Sequence, residues 1–232
     1  MKRIVFSFLG IFLFLCSFAQ TPVVTRDLET WSSVAIEAGL GSRWDFGIEE
    51  QLRLQKNSTS IDEYFTNGSI RYTIIKKHLY IGMGYRFISD MNDDLEKDKE
   101  QRFNIDLTYK HSFNQLRLNA RFRYTNRDDI GETKEMGDYH RHNYRFRLKG
   151  EYKIKNWKFD PVFSAEIFRQ YEKYTIPYYE NLRLRLGTDY NLGKFGTIEG
   201  FYQIDKSLGL GYSKTIYVIC IGYKYDFGNL LK

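Results

Sequence analysis

The sequence predicts an all-β chain: an antiparallel, up-and-down transmembrane β-barrel of about twelve strands, with ten as the next choice, behind a cleaved signal peptide. Three observations predict it. Segments of strict apolar/polar alternation follow one another along almost the whole mature chain, the period of a strand with two unlike faces. The connectors alternate between tight turns and longer polar loops, as in outer-membrane barrels. Aromatic residues gather toward both ends of the segments, where interfacial girdles lie.

The first nineteen residues read as a signal peptide. Lys2 and Arg3 form a basic head, Ile4 to Leu15 an apolar run, and the cleavage site falls near Ala19–Gln20. A lipoprotein signal at Cys16 is disfavoured because Leu15 is too large for the position before such a cysteine. Residues 20–232 then form one domain. The chain is 42% hydrophobic and 17% aromatic, yet its mean hydropathy is -0.51. This aromatic load excludes a disordered chain. Without Lys2 and Arg3, the 35 basic residues fall to 33 against 29 acidic ones, a net charge of +4. That mild excess does not point to nucleic acid. With Cys16 removed, Cys220 is the one remaining cysteine, so an internal disulfide is impossible. Past the signal, no apolar run approaches the ~18 residues of a spanning helix.

Along the chain, "WDFGIEEQLRL" sets Trp44, Phe46, Ile48, Leu52 and Leu54 against Asp45, Gly47, Glu49, Gln51 and Arg53. Glu50 breaks the pattern; a bulge between Glu49 and Gln51 would turn it inward. "LRLNARFRY" sets Leu116, Leu118, Ala120, Phe122 and Tyr124 against Arg117, Asn119, Arg121 and Arg123. "HRHNYRFRLKGEYKIKN" sets Tyr144, Phe146, Leu148 and Tyr152 against Arg145, Arg147, Lys149, Glu151 and Lys153. "ENLRLRLGTDYNL" continues with Leu182, Leu184 and Leu186 against Asn181, Arg183 and Arg185, and the last segment aligns Tyr223, Tyr225 and Phe227 on one face. That aromatic C-terminal strand suits recognition by barrel-insertion machinery.

Tight turns fall near Gly41–Ser42, Lys76–Lys77, Phe113–Asn114, Lys155–Asn156 and Leu192–Lys194. Between them lie "QKNSTS", "SDMNDDLEKDKE", "TNRDDIGETKEMGD", "QYEKYTIP" and "DKSLGLGYS". Trp44, Tyr80, Trp157, Phe159, Tyr190, Phe195, Tyr225 and Phe227 are expected at the turn rim; Tyr64, Phe87, Tyr124, Tyr174 and Tyr178 at the loop rim. The segments number about eleven. Single-chain bacterial barrels have even counts, so either a short extra strand in residues 21–28 makes twelve, the favoured count, or one segment is not in the wall, leaving ten.

"LETWSSVAIEAGL", "GIEEQLRLQ", "IDEYFTNGSIRY" and "IGMGYRF" resemble bacterial secreted proteins grouped as domain of unknown function 2490, thought to be small outer-membrane barrels. The similarity runs from about residue 28 to the C-terminus. It is carried mainly by Glu49–Arg53 and by Asp62, Glu63, Tyr64 and Phe65. The resemblance implies the barrel fold and brings no activity, catalytic residue or cofactor.

With the apolar face against lipid, the polar face lines the lumen. Its mid-depth residues are expected to be Arg121, Arg123, Arg145, Arg147, Arg183 and Arg185, with Glu49, Asp106, Glu166 and Glu199 as the acids. Glu166 lies between the Arg145/Arg147 strand and the Arg183/Arg185 strand, and Glu199 on the strand after. Interleaved carboxylates plug such a lumen with ion pairs; the surplus of arginine instead favours a narrow pore for small anionic solutes. Both readings stay open.

A rim enzyme acting on lipid or peptide is a weaker alternative, resting on His140 and His142 with Asp128, Asp129 and Asp138 nearby. On this register the two histidines fall on the lipid side, and no catalytic or metal role is assigned to them. His78 and His111 lie beside turns. Asp90–Glu100 lacks the spacing and glycine of a calcium loop. Nucleic acid is excluded because stacking aromatics and cations occupy opposite faces. No cofactor is expected. A soluble periplasmic ligand-binding barrel requires the faces to be reversed. The expected environment is outer-membrane lipid.

Overall fold

The computed structural model describes residues 24–91, 97–131, 141–171, 176–209 and 213–230. The signal segment 1–19, with its cleavage point, lies outside them. Eleven strands form one closed barrel: β1 (Val24–Leu40), β2 (Trp44–Gln55), β3 (Ser60–Ile75), β4 (Leu79–Met91), β5 (Lys97–Phe113), β6 (Leu116–Asp129), β7 (Arg141–Tyr152), β8 (Asp160–Tyr171), β9 (Tyr178–Asn191), β10 (Thr197–Ser207) and β11 (Ser213–Asn229). Each strand pairs antiparallel with its sequence neighbours, and β1 closes the wall by pairing with β11 in parallel.

The count of eleven stands, and the expected twelfth strand is absent among the described residues. From Val24 onward the chain extends β1 to 17 residues instead of adding a strand. Direction reverses at every connection, so an odd count makes the first and last strands parallel. Parallel ladders satisfy the same backbone groups with slanted bonds, so the barrel still has no open edge.

The tight turns are built on left-handed residues: Gly41 at φ 65°, Lys77 at 69°, Asn114 at 49° and Asn156 at 62°. Glycine and asparagine adopt this region most readily. "QKNSTS", expected as a long loop, is a four-residue connection between β2 and β3. Lys56, Asn57 and Ser58 have φ of 55°, 57° and 62°, three successive residues in a conformation costly for side-chain-bearing residues. Asp27 of β1 compensates: its carboxylate accepts the Lys56 N–H at 2.9 Å and the Asn57 N–H at 2.8 Å.

The two faces follow the alternation. Ile48 (61%), Leu148 (54%), Phe146, Phe122 and Ile221 are exposed on the outside, while the charged partners of each strand turn inward. Two rim expectations change, and a third is not described. Tyr80 pairs with Thr73 and Thr108 and lies inside, beneath Lys110 Nζ at 4.7 Å. Tyr178 shares the inward register of Gln170 and Asn143. Tyr174 lies outside the described residues.

The bulge expected beside Glu50 does not form. Glu49, Glu50 and Gln51 pair in unbroken register with Asn67, Thr66 and Phe65, and the irregularity lies at Arg53/Leu54. Glu50 therefore stays on the outer face between Ile48 and Leu52. The hydroxyls of Tyr64 and Thr66 donate to its carboxylate, which satisfies the group without turning it inward.

The core is the lumen itself. Trp31, Phe65, Ile88, Val162, Phe168, Val218 and Cys220 are buried there among the polar side chains. Eight strands already enclose space that side chains can fill, and diameter grows with strand number. Arginine, tryptophan and phenylalanine supply the reach that eleven strands demand.

Candidate functional site in the barrel lumen

Strand register arranges the inward side chains in rows around the wall. One row runs Arg121, Arg147, Glu166, Arg183 and Asp205 on β6 to β10. The neighbouring row carries Asp106, Arg123, Arg145 and Phe168 on β5 to β8. Tertiary packing then selects partners. Arg121 donates to Glu166 at 2.7 Å, across β7. Arg123 meets Asp106 with two bonds of 2.6 Å, and Arg183 clamps Asp205 through Nε at 2.9 Å and Nη2 at 2.7 Å. Such bidentate, charge-assisted bonds are the stronger kind.

Arg145 donates to Asn143 at 3.1 Å and lies over Phe168, with Cζ 4.6 Å from the ring centre. Arg185 lies over Phe201 at 4.5 Å. Arg147 stands opposite Glu166 in register yet forms no ion pair with a described carboxylate within 4.0 Å. Toward the loop rim, Arg53 pairs with Glu63 at 3.0 Å, and Glu100 is shared by Arg127 and Arg102.

Aromatic rings hold the guanidiniums in place. Arg53 lies 3.9 Å and Arg183 5.1 Å from the Trp31 ring, one from β2 and one from β9. Arg86 lies 3.5 Å from Phe65, which Arg53 also approaches at 5.1 Å. Stacked cations are stabilised by roughly 0.5–2 kcal/mol each, most when desolvated. Alternation treated every inward position as polar and passed over these rings. The signal was present in its phase: Trp31 shares it with Glu29, Phe168 with Glu166, and Phe201 with Glu199.

The ten predicted lumen residues all face inward, and the structure divides them. Arg121, Arg123, Arg145, Arg147, Arg183, Asp106 and Glu166 occupy the two central rows, with Arg185 in the row beside them. Glu49 and Glu199 do not join them. They line a cavity of about 190 Å³ with Ser33, Glu37, Gly47, Ser69, Gly222 and Lys224, where Glu199 faces Lys224 at 3.7 Å. The second neutralising carboxylate is Asp205, which sequence reasoning missed. It lies six residues beyond Glu199 on β10, and the stagger of β10 against β9 brings it beside Arg183.

At the loop rim, His142 is on the outer side, its Nδ1 2.7 Å from the Tyr124 hydroxyl. Asp129 pairs with Arg141 at 2.7 Å, and Asp128 accepts from Gln101 at 3.1 Å. His140, Asp138 and residues 92–96 of the acidic loop lie outside the described residues. His78 and His111 stack at 5.8 Å beside the turns. Among the described residues, no group of three or more His, Cys, Asp or Glu side chains is placed to hold a metal.

The family model described as "Protein of unknown function (DUF2490)" matches residues 28–207. A comparison with the curated proteins finds no match.

Proposed function

The chain belongs to the DUF2490 family, and from that premise we propose that it is an outer-membrane β-barrel whose lumen is closed at mid-height by an arginine, aromatic and carboxylate network. The role is then one of wall and surface, with no catalytic step assigned. The observation that carries the proposal is the Trp31 ring approached by Arg53 and Arg183 from different strands and packed with buried Val218 and Cys220, in a lumen where Phe65, Ile88, Gln203 and Val218 are each at most 1% exposed. The apolar outer belt supports a membrane setting, since a closed barrel is the one β-structure that satisfies its backbone in lipid. By analogy with outer-membrane barrels, the short turns face the periplasm and the longer loops face outward. The C-terminal end of β11, with Phe227, then lies on the periplasmic side, where insertion machinery meets it.

Membrane fractionation with heat-modifiable gel mobility tests the setting; recovery of the folded protein wholly in the soluble periplasmic fraction would overturn it. Planar-bilayer recording tests the closed lumen, with absence of unitary steps as the expected result. A narrow anion-favouring pore is the second reading, favoured by Arg145, Arg147 and Arg185, which have no ion pair with a carboxylate among the described residues. It requires unitary steps whose anion preference falls when Arg145 and Arg147 are both changed to Glu.

A further inference from the structure

We infer that the lumen holds a small inorganic anion of about chloride size between Arg147 and Arg185, on the wall formed by β7 to β10. The inference rests on the reading above that these side chains face the barrel lumen and not lipid.

Charge makes the first argument. In the row Arg121, Arg147, Glu166, Arg183 and Asp205, both carboxylates are engaged, Glu166 by Arg121 at 2.7 Å and Asp205 by both edges of Arg183. Arg147 is left without a described carboxylate within ion-pair distance, and its buried Nε has no hydrogen-bond partner. One row away, Arg185 stands between Ser164 on β8 and Gln203 on β10. Its Nε is likewise buried and unpartnered. The acids nearest to them, Glu166 and Asp189, are engaged by Arg121 and Lys149, so the two guanidinium charges share one wall without a carboxylate of their own among the described residues. An uncompensated buried charge is costly, so the site selects a negative ligand.

Gln203 makes the second argument, and it does not depend on charge. Its side chain is fully buried, at 0% exposure, and neither Oε1 nor Nε2 has a partner. Buried amides are almost always satisfied. Its position beside Arg185 puts an N–H donor next to the same guanidinium, while Ser164, also buried, adds a hydroxyl. Guanidinium, amide N–H and hydroxyl donors suit a ligand that only accepts: it would satisfy Nε2 of the amide, while Glu166, the nearest carboxylate, is already engaged by Arg121. A monatomic halide meets that need from any direction and in little space.

The test uses the full mature barrel in detergent. Thermal unfolding is followed in sodium chloride, sodium bromide and sodium gluconate at equal ionic strength, and bromide is located by anomalous scattering in crystals. Chloride and bromide are expected to raise Tm saturably over gluconate, because a ligand of the native state stabilises it by mass action. The bromide peak is expected between Arg147 and Arg185. Arg147→Gln is expected to lose the halide-dependent shift while keeping, or raising, its Tm in gluconate, since it removes an unbalanced charge. Equal Tm in chloride and gluconate, or no bromide peak at this position, would overturn the inference even if the variant fails to fold. Conductance separates the two proposals. Unitary steps with a halide-dependent Tm would sink the closed lumen and leave the anion; neither steps nor halide effect would do the reverse.

Discussion

Arg121 reaches across β7 to bond Glu166 at 2.7 Å, past Arg147, the residue that stands opposite that carboxylate in the strand ladder. The shortest path along the sheet is thus not the pairing that the lumen adopts. Inward side chains on a curved wall converge toward the axis, so a residue two strands away competes with the adjacent one. The outcome leaves Arg147 as the odd charge in its row.

Glu166→Gln leaves Arg121 uncompensated as well as Arg147. It is expected to destabilise the barrel by ~3–5 kcal/mol, the usual cost of breaking one side of a buried pair. The double change Arg121→Met with Glu166→Leu should be milder than Glu166→Gln alone. Urea unfolding in micelles checks the order; a single variant as stable as the double one contradicts the pairing.

Trp31→Ala removes the ring between Arg53 and Arg183. Loss of so large a buried side chain is expected to cost ~3–5 kcal/mol. It should also loosen both guanidiniums, so unitary conductance steps absent from the parent should appear in planar bilayers. A variant that stays silent while folded would show that the network closes without this ring.

Glu50→Leu tests the outer belt. In the proposed membrane setting, a carboxylate on the outer face is expected to cost up to ~2 kcal/mol near the midplane, partly relieved here by Tyr64 and Thr66. Unfolding from phospholipid vesicles should show the leucine variant to be the more stable. Lower stability in vesicles would mean that Glu50 serves something beyond the wall.

Gly187→Ala should be poorly tolerated. Gly187 sits on the inward face opposite Phe201, and an added Cβ would lie 2.5 Å from Phe201 Cδ1 and overlap the Gly200 carbonyl. Overpacking of this kind typically costs ~1–3 kcal/mol. A Tm loss is expected, and because the nearest atoms include the Gly200 carbonyl and Phe201 Cα, Phe201→Leu in the same chain should recover little of it.

Asp27→Ala removes both acceptors of the left-handed turn at Lys56 and Asn57. The expected loss is ~1–3 kcal/mol, with faster amide exchange at these two residues. Asn57→Gly, which relieves the φ of 57°, should restore part of the protection. Unchanged exchange in Asp27→Ala would remove the carboxylate from the account of this turn.

The faces were legible because alternation is local. Each strand declares its own inside and outside, as Phe146 and Leu148 against Arg145 and Arg147 do, and the tight turns declare themselves through Gly41, Asn114 and Asn156. The inward rings at Phe168 and Phe201 are in phase with Glu166 and Glu199, two of the expected lumen acids. Phase alone places these rings inside, whereas an apolar residue type suggests the lipid face.

The sequence by itself determined the barrel, the inward direction of all ten charged lumen residues, and Glu166 as a central acid. Tertiary structure alone decided closure, since the parallel pairing of Val24–Leu40 with Ser213–Asn229 joins segments that no local pattern relates. It also decided that Asp205, not Glu199, neutralises Arg183, and that Glu50 remains outside. These outcomes share one physical cause. Alternation has a period of two residues and fixes only which face a side chain takes, whereas partner choice depends on stagger summed over several strands and on reach across a filled lumen.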